Sequence, residues 1–292
     1  MIFLDHLING LSLGSIYAII ALGYTMVYGI AKMLNFAHGD VIMVGAYIAF
    51  CGLQYWGVPP VLAILLAMVV CTVLGITIEG LAYRPLRQAT SLAVLITAIG
   101  MSYLLQNIAL MIWGANPKSF PTTFINSGSL HLGQLSISSA TLITIVVSVV
   151  IMVALTLFTS KTKLGKAMRC VSEDRGAAEL RGINVNRTIS VTFAIGSALA
   201  AIAGVLLCSS YPILQPTTGS MPGIKAFTAA VFGGIGSIPG AMLGGVLLGV
   251  IEIFGNAYIS TELGDAIVFA VLIIVLLFKP AGLLGKPIRE KV

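Results

Sequence analysis

Three groups of polar side chains interrupt long apolar runs, and they are the residues with chemistry to offer. Glu252 stands three residues beyond Gly249 and four before Asn256, so on a helix its carboxylate and the Asn256 amide share one narrow face. A carboxylate at membrane depth is costly enough to face a bundle interior or an aqueous route. Glu252 and Asn256 are therefore candidates for a pathway or gating role, with a structural hydrogen bond to a neighbouring helix as the alternative. The second group, Lys32, Asn35, His38 and Asp40, falls in AKMLNFAHGDVIMVGAY between two apolar runs. It reads either as a cytoplasmic turn in which Asp40 favours a helix N-terminus through the dipole, or as a turn dipping into the membrane. The second alternative puts His38 and Asp40 beside a translocation route or a subunit interface. The third pair, Glu79 and Arg84, lies at a helix end, where Glu79 reads as an anchor. No Ser or Cys with a supporting acid can be paired with His38, so no catalytic residue is assigned and a membrane enzyme is disfavoured.

The elements that carry these groups are membrane helices. The 292 residues are 58% hydrophobic and 9% charged, with a mean hydropathy of +1.04, whereas soluble domains carry about 25% charged residues. The net charge of +6 comes from Lys and Arg clustered at the ends of apolar runs, which fits membrane topology and excludes a nucleic-acid-binding face. Cys51, Cys71, Cys170 and Cys208 have no CxxC spacing and give neither a disulfide framework nor a metal site. The opening segment lacks the basic region and cleavage site of a signal peptide and reads as a first membrane helix.

About 20 apolar residues span a bilayer core. The sequence predicts an all-α polytopic bundle of eight spans, at about 8–30, 39–54, 60–82, 91–113, 137–159, 188–210, 240–258 and 264–279. A ninth, shorter run at 223–238 reads as a broken or re-entrant segment. Arg84, Arg87, the basic segment 161–187, Lys279, Lys286, Arg289 and Lys291 belong on the cytoplasmic side, and the loop 114–136 then faces outward. An inside C-terminus requires 223–238 to cross, which gives nine passes and an outside N-terminus. One membrane domain, 1–292, is expected, without a soluble module.

Small residues concentrate between Phe232 and Gly255. Gly236, Gly240 and Gly244 repeat at four-residue spacing, as do Gly245 and Gly249, and such ridges let another helix approach closely. Tyr17, Tyr24 and Tyr28, and then Thr141, Thr144 and Ser148, form polar stripes suited to interhelical hydrogen bonds.

The segment KTKLGKAMRCVSEDRGAAELRGINVNR, residues 161–187, is a charged island outside the lipid. Ser172, Glu173 and Asp174 look like a helix start and Gly182 like a stop, so RGAAELR forms a short amphipathic helix. Ala177, Ala178 and Leu180 are available to a partner groove, with Arg175, Glu179 and Arg181 around them. Mixed signs argue against a pure lipid-binding patch.

GKAMRCVSEDRGAAELRGINVNRTISVTFAIGSALAAIAGVL resembles the cytoplasmic region of branched-chain amino-acid ABC permeases of the LivH type. NGLSLGSIYAIIALGYTMVYGIAKMLNFAHGD and GIKAFTAAVFGGIGSIPGAMLGGVLLGVIE extend the resemblance over almost the full length. It implies a multi-pass subunit of a bacterial cell membrane that imports leucine, isoleucine, valine or related amino acids. The implied partners are a LivM-like second permease, two cytosolic ATPase subunits that bind ATP, an extracytoplasmic binding protein and the surrounding lipid. It also implies that the island's helix is a coupling helix, with Glu173, Asp174, Ala177, Ala178, Leu180, Gly182 and Ile183 carried over to ATPase coupling. The chain has no GxxxxGK[ST] phosphate loop with which to bind ATP by that mechanism. Urea or amide import within the same family, and an ion-coupled carrier or channel using Asp40 and Glu252, are the alternatives.

Overall fold

A computed structural model describes residues 2–121, 128–132 and 135–285. Of the orientation markers, Lys286, Arg289 and Lys291 lie outside the described residues, as does part of the 114–136 loop. All eight expected spans are helices: α1 Ile2–Ala31, α2 His38–Gln54, α3 Pro60–Ile78, α4 Ser91–Trp113, α5 Ser139–Lys161, α8 Val185–Ser210, α10 Ile238–Tyr258 and α11 Gly264–Phe278. Between α5 and α8 the island forms α6, Lys163–Glu173, and α7, Arg175–Leu180. The ambiguous run becomes α9, Ser220–Gly233. Six of these helices, α1, α3 with its terminal π-turn, α4, α5, α8 and α10, are long and apolar enough to cross a membrane.

Helix α1 is the axis of the bundle and the most buried of the six, and it packs most extensively against α10. Absent side chains make that close packing possible. Added methyl groups at Gly245 and Gly249 of α10 would run into the backbone at Ala18 and Gly14 of α1. Gly240 and Gly244 instead meet Gly233 and Ala229 of α9, so the glycine ridge serves two neighbours. Gly236 is not part of it. The chain at Gly236 has φ +94° and belongs to the turn before α10, where it lies against Gly29 of α1. Helices α4 and α5 are peripheral and present apolar residues such as Ile96, Met111, Val146 and Val150 outward.

Two of the shorter helices, α2 and α9, begin inside the bundle after an extended stretch. After α1 ends, Lys32 turns the chain with φ 54° and residues 32–37 run back into the bundle without helical structure. His38, the first residue of α2, then packs against Gly23 and Tyr24 of α1, its ring centroid 4.7 Å from that of Tyr24. Gly23 is eight residues before the end of α1, about 12 Å along the helix. The second case mirrors the first. Residues 211–219 descend from the end of α8, past a short antiparallel pairing of Ile213–Leu214 (β4) with Lys118–Ser119 (β1), and α9 starts at Ser220 beside Gly39 of α2. Irregular backbone at this depth is tolerated where protein covers it. A second short pairing, Ser129–Leu132 (β2) with Leu135–Ser138 (β3), precedes α5. Among the described residues six helices are long and apolar enough to cross, while α2, α9 and α11 are shorter.

Candidate functional site

Four polar centres sit on this scaffold among the described residues. The first couples α1, α9, α10 and α11. Glu252 of α10 accepts a hydrogen bond from the Tyr17 hydroxyl at 2.9 Å on one carboxylate oxygen. Its other oxygen is 2.7 Å from the Lys225 ammonium of α9. Lys225 also reaches Asp265 of α11 at 2.5 Å. The Lys225 and Glu252 side chains are each 9% exposed, while that of Asp265 is 51% exposed, so Asp265 is the exposed member of the network. A cavity of about 430 Å³ opens beside the network, lined by Tyr17, Tyr211, Gln215, Glu252 and Asn256 among apolar residues. Glu252 and Asn256 face it together, as their spacing on α10 requires. The Asn256 side-chain oxygen, packed against Gly264, has no hydrogen-bond partner among the described residues.

The second centre lies where α2 and α9 begin. Asp40, in the first turn of α2, accepts a hydrogen bond from the Gln106 amide of α4 at 2.9 Å, and the same amide is 3.2 Å from the Ser220 hydroxyl at the start of α9. A carboxylate beside two helix N-termini is favoured by their dipoles. Asn35 accepts from the Tyr83 hydroxyl at 2.9 Å, and His38 is buried with its Nε2 unpartnered. The cytoplasmic-turn alternative for this segment is thus corrected. Only Lys32 remains exposed at the bundle end, while Asn35, His38 and Asp40 are buried where the chain turns back inward. They do not join Glu252 and Asn256 in one site.

The third centre is the island. Asp174, rather than Ser172, caps α7, its carboxylate accepting the Ala177 N–H at 3.0 Å. Ser172 belongs to α6, which Thr162 caps through the Gly165 N–H. Gly182 has φ +77° and ends the short helix, as its position predicts. Leu180 is 92% exposed and Ala177 is exposed, but Ala178 is buried against its own chain. That residue therefore offers no surface to a partner, and Ile183 is half-buried in the same way. Glu173 is exposed at the end of α6. Arg175 turns inward and donates to the Ala31 carbonyl at the C-terminus of α1, which ties the island to the bundle's axis. Burial, and then the nearby Arg87, hold its guanidinium below the usual range.

Glu79 is buried, but its cation is Arg87, eight residues on, and not Arg84; Ser190 of α8 also donates to it at 2.7 Å. The π-turn Glu79–Tyr83 at the end of α3 positions this ion pair, and Arg87 reaches Asn186 of α8 as well.

These features describe a helical membrane protein with an ion-paired interior and a short capped helix between α6 and α8. The family model described as "Branched-chain amino acid transport system / permease component" matches residues 6–276. The chain belongs to that family. It is 48% identical to the high-affinity branched-chain amino acid transport system permease protein BraD of Pseudomonas aeruginosa, over 99% of this chain and 98% of the relative. It is 46% identical to the corresponding permease protein LivH of Escherichia coli, with the same coverage. A probable LivH of Methanocaldococcus jannaschii is 29% identical over 93% of this chain and 89% of its own length. Among solved structures, PsaBC from Streptococcus pneumoniae in complex with Fab is similar in fold, with TM-score 0.50, 16% identity, and coverage of 94% of this chain and 91% of that one. Like its relatives, this branched-chain permease family member is a multi-pass membrane protein.

Sequence reasoning missed Lys225, Asp265 and Gln106, the partners of the carboxylates it singled out. Lys225 carried the plainest signal, a single cation inside SMPGIKAFTAAVFG, because an ionisable residue at membrane depth demands a partner.

Proposed function

We propose that this chain is the permease subunit of an ATP-driven importer of leucine, isoleucine or valine. The observation that carries the reading is identity of 46–48% over nearly the whole chain to permeases named for high-affinity branched-chain amino acid transport. The chain pairs with a LivM-like permease, receives substrate from an extracytoplasmic binding protein, and couples to two ATPase subunits that bind the ATP. Closure of the ATPase pair pushes on α7, and Leu180 and Ala177 are the side chains it presents to a groove. The Arg175 contact to Ala31 passes that displacement to α1, against which α10 and α9 pack. Rocking of these helices then exposes the route outward and inward in turn.

Reconstitution tests the reading. Proteoliposomes with both permeases, the ATPase subunits and the binding protein import leucine only with ATP inside. Substrate flux through this chain alone sinks the importer reading in favour of a channel or ion-coupled carrier, and urea uptake in place of leucine moves the substrate to the amide class. A Cys placed at Leu180 crosslinks to the ATPase subunit; no crosslink there or at Ala177 counts against the coupling role.

A further inference from the structure

The cavity beside Glu252 has a buried charged group on its wall, and three of its properties agree. First, Glu252 is 7% exposed yet lines the cavity, and its two hydrogen bonds leave carboxylate lone pairs unused. Lys225 is shared between Glu252 and Asp265, so these three groups hold two carboxylates against one cation. A further positive group is electrostatically welcome at this wall, because Glu252 is itself largely withdrawn from the surface. Second, Tyr211 and Asn256 also line the cavity, and both side chains carry donors. Third, apolar residues, among them Leu13, Leu207, Ile213 and Ile253, make up much of the remaining wall, with Gln215 and Thr218 beside them. A largely apolar hollow with a few convergent polar groups is the usual form of a small-molecule site.

We propose that this cavity binds the free amino acid in transit, with Glu252 receiving the ammonium group. Tyr211 and Asn256 face the carboxylate, and Leu13, Leu207 and Ile253 take the alkyl side chain. The proposal rests on the import of branched-chain amino acids and adds a transit site within this subunit.

The test uses the complete transporter in lipid vesicles, with Ile253→Cys on the cavity wall and a membrane-impermeant maleimide applied from outside. The rate of labelling is compared with leucine, with isoamylamine, which lacks the carboxylate, and with 4-methylpentanoate, which lacks the ammonium. Leucine slows labelling severalfold, the amine slows it measurably, and the acid slows it less than the amine. Labelling unaffected by leucine, or protection by the acid at least equal to that by the amine, overturns the site. ATP-driven leucine uptake is followed in the same vesicles. Uptake that persists without protection refutes the transit site alone, whereas absence of uptake in the parent transporter removes the functional reading beneath it. Glu252→Gln supplies a second readout: uptake survives with a raised KM for substrate, and an unchanged KM contradicts the ammonium assignment.

Discussion

Gly39, in the first turn of α2, and Gly219, at the entrance to α9, meet backbone to backbone, so a methyl group on Gly219 would overlap the Gly39 carbonyl. The two half-helices run away from this contact in opposite directions. Each leaves its N-terminus inside the bundle, and Asp40 occupies the junction with Gln106 and Ser220. Broken helices with N-termini at membrane depth are a recurrent transporter device, because the exposed ends carry positive dipoles without a charged side chain.

Gly219→Ala should therefore destabilise the permease by about 1–3 kcal/mol, the usual cost of overpacking a close contact. Gly100→Ala is the control, since nothing lies within 4 Å of the position its methyl group would take. There alanine should be neutral or stabilise by about 0.5–1 kcal/mol, as glycine is a poor residue inside a helix. Thermal unfolding of the purified transporter, followed by intrinsic fluorescence, compares the two; equal midpoints would mean that the glycine contact is not needed.

The half-helices also mark the limit of what the sequence discloses. Apolar runs of about 20 residues located the eight spans, because hydropathy over that length depends little on neighbours. The run 223–238 stayed ambiguous because its crossing is completed by residues 211–219, a polar and irregular stretch with no periodic signal. Gly236 matched the four-residue spacing of Gly240 and Gly244, but spacing does not reveal the positive φ that places it in a turn. Glu252 and Asn256 were legible as a pair because they share one helix. Lys225 and Asp265 reach Glu252 from other helices, and a single sequence holds no information on which faces meet. On the island the helix start was legible as the run Ser172–Asp174, and Asp174 is the member of it that caps α7.

The Lys225 network predicts an unequal response to mutation. Lys225→Met leaves Glu252 buried with only the Tyr17 hydroxyl, and removing one partner of a buried pair costs about 3–5 kcal/mol. Asp265→Asn removes the partly exposed member, where water already shields the charge, and should cost about 0–1 kcal/mol. The double substitution Lys225→Met with Glu252→Met should recover much of the single loss. Unfolding midpoints in one detergent would show the order, and a more damaging Asp265→Asn would contradict it.

Glu79 offers a choice between two arginines. Arg87 holds it inside the bundle, whereas Arg84 is exposed. Arg87→Ala should lower stability by about 3 kcal/mol or more, because an unpaired buried carboxylate remains. Arg84→Ala should stay within about 0.5 kcal/mol, as surface substitutions usually do. Expression level and unfolding midpoint of the two variants decide between them, and equal effects would assign the pairing wrongly.

The island separates folding from coupling. Leu180 is 92% exposed and touches little of its own chain, so Leu180→Asp should change stability by no more than about 0.5 kcal/mol. If the side chain enters an ATPase groove, the same substitution buries a charge there, and leucine uptake should fall at least tenfold, an effect equivalent to about 1.4 kcal/mol. Asp174→Ala acts through the helix itself. It removes the cap from α7 at a cost of about 1 kcal/mol, frays the helix, and should weaken uptake to a lesser degree. Ala178→Asp differs again, since a charge at this buried position disturbs the packing of α7 and lowers the unfolding midpoint along with uptake. Measuring uptake and midpoint on all three variants distinguishes a docking residue from a structural one. Unimpaired uptake by Leu180→Asp would remove Leu180 from the coupling surface, because the side chain is 92% exposed and a groove on a partner is where the charge would cost.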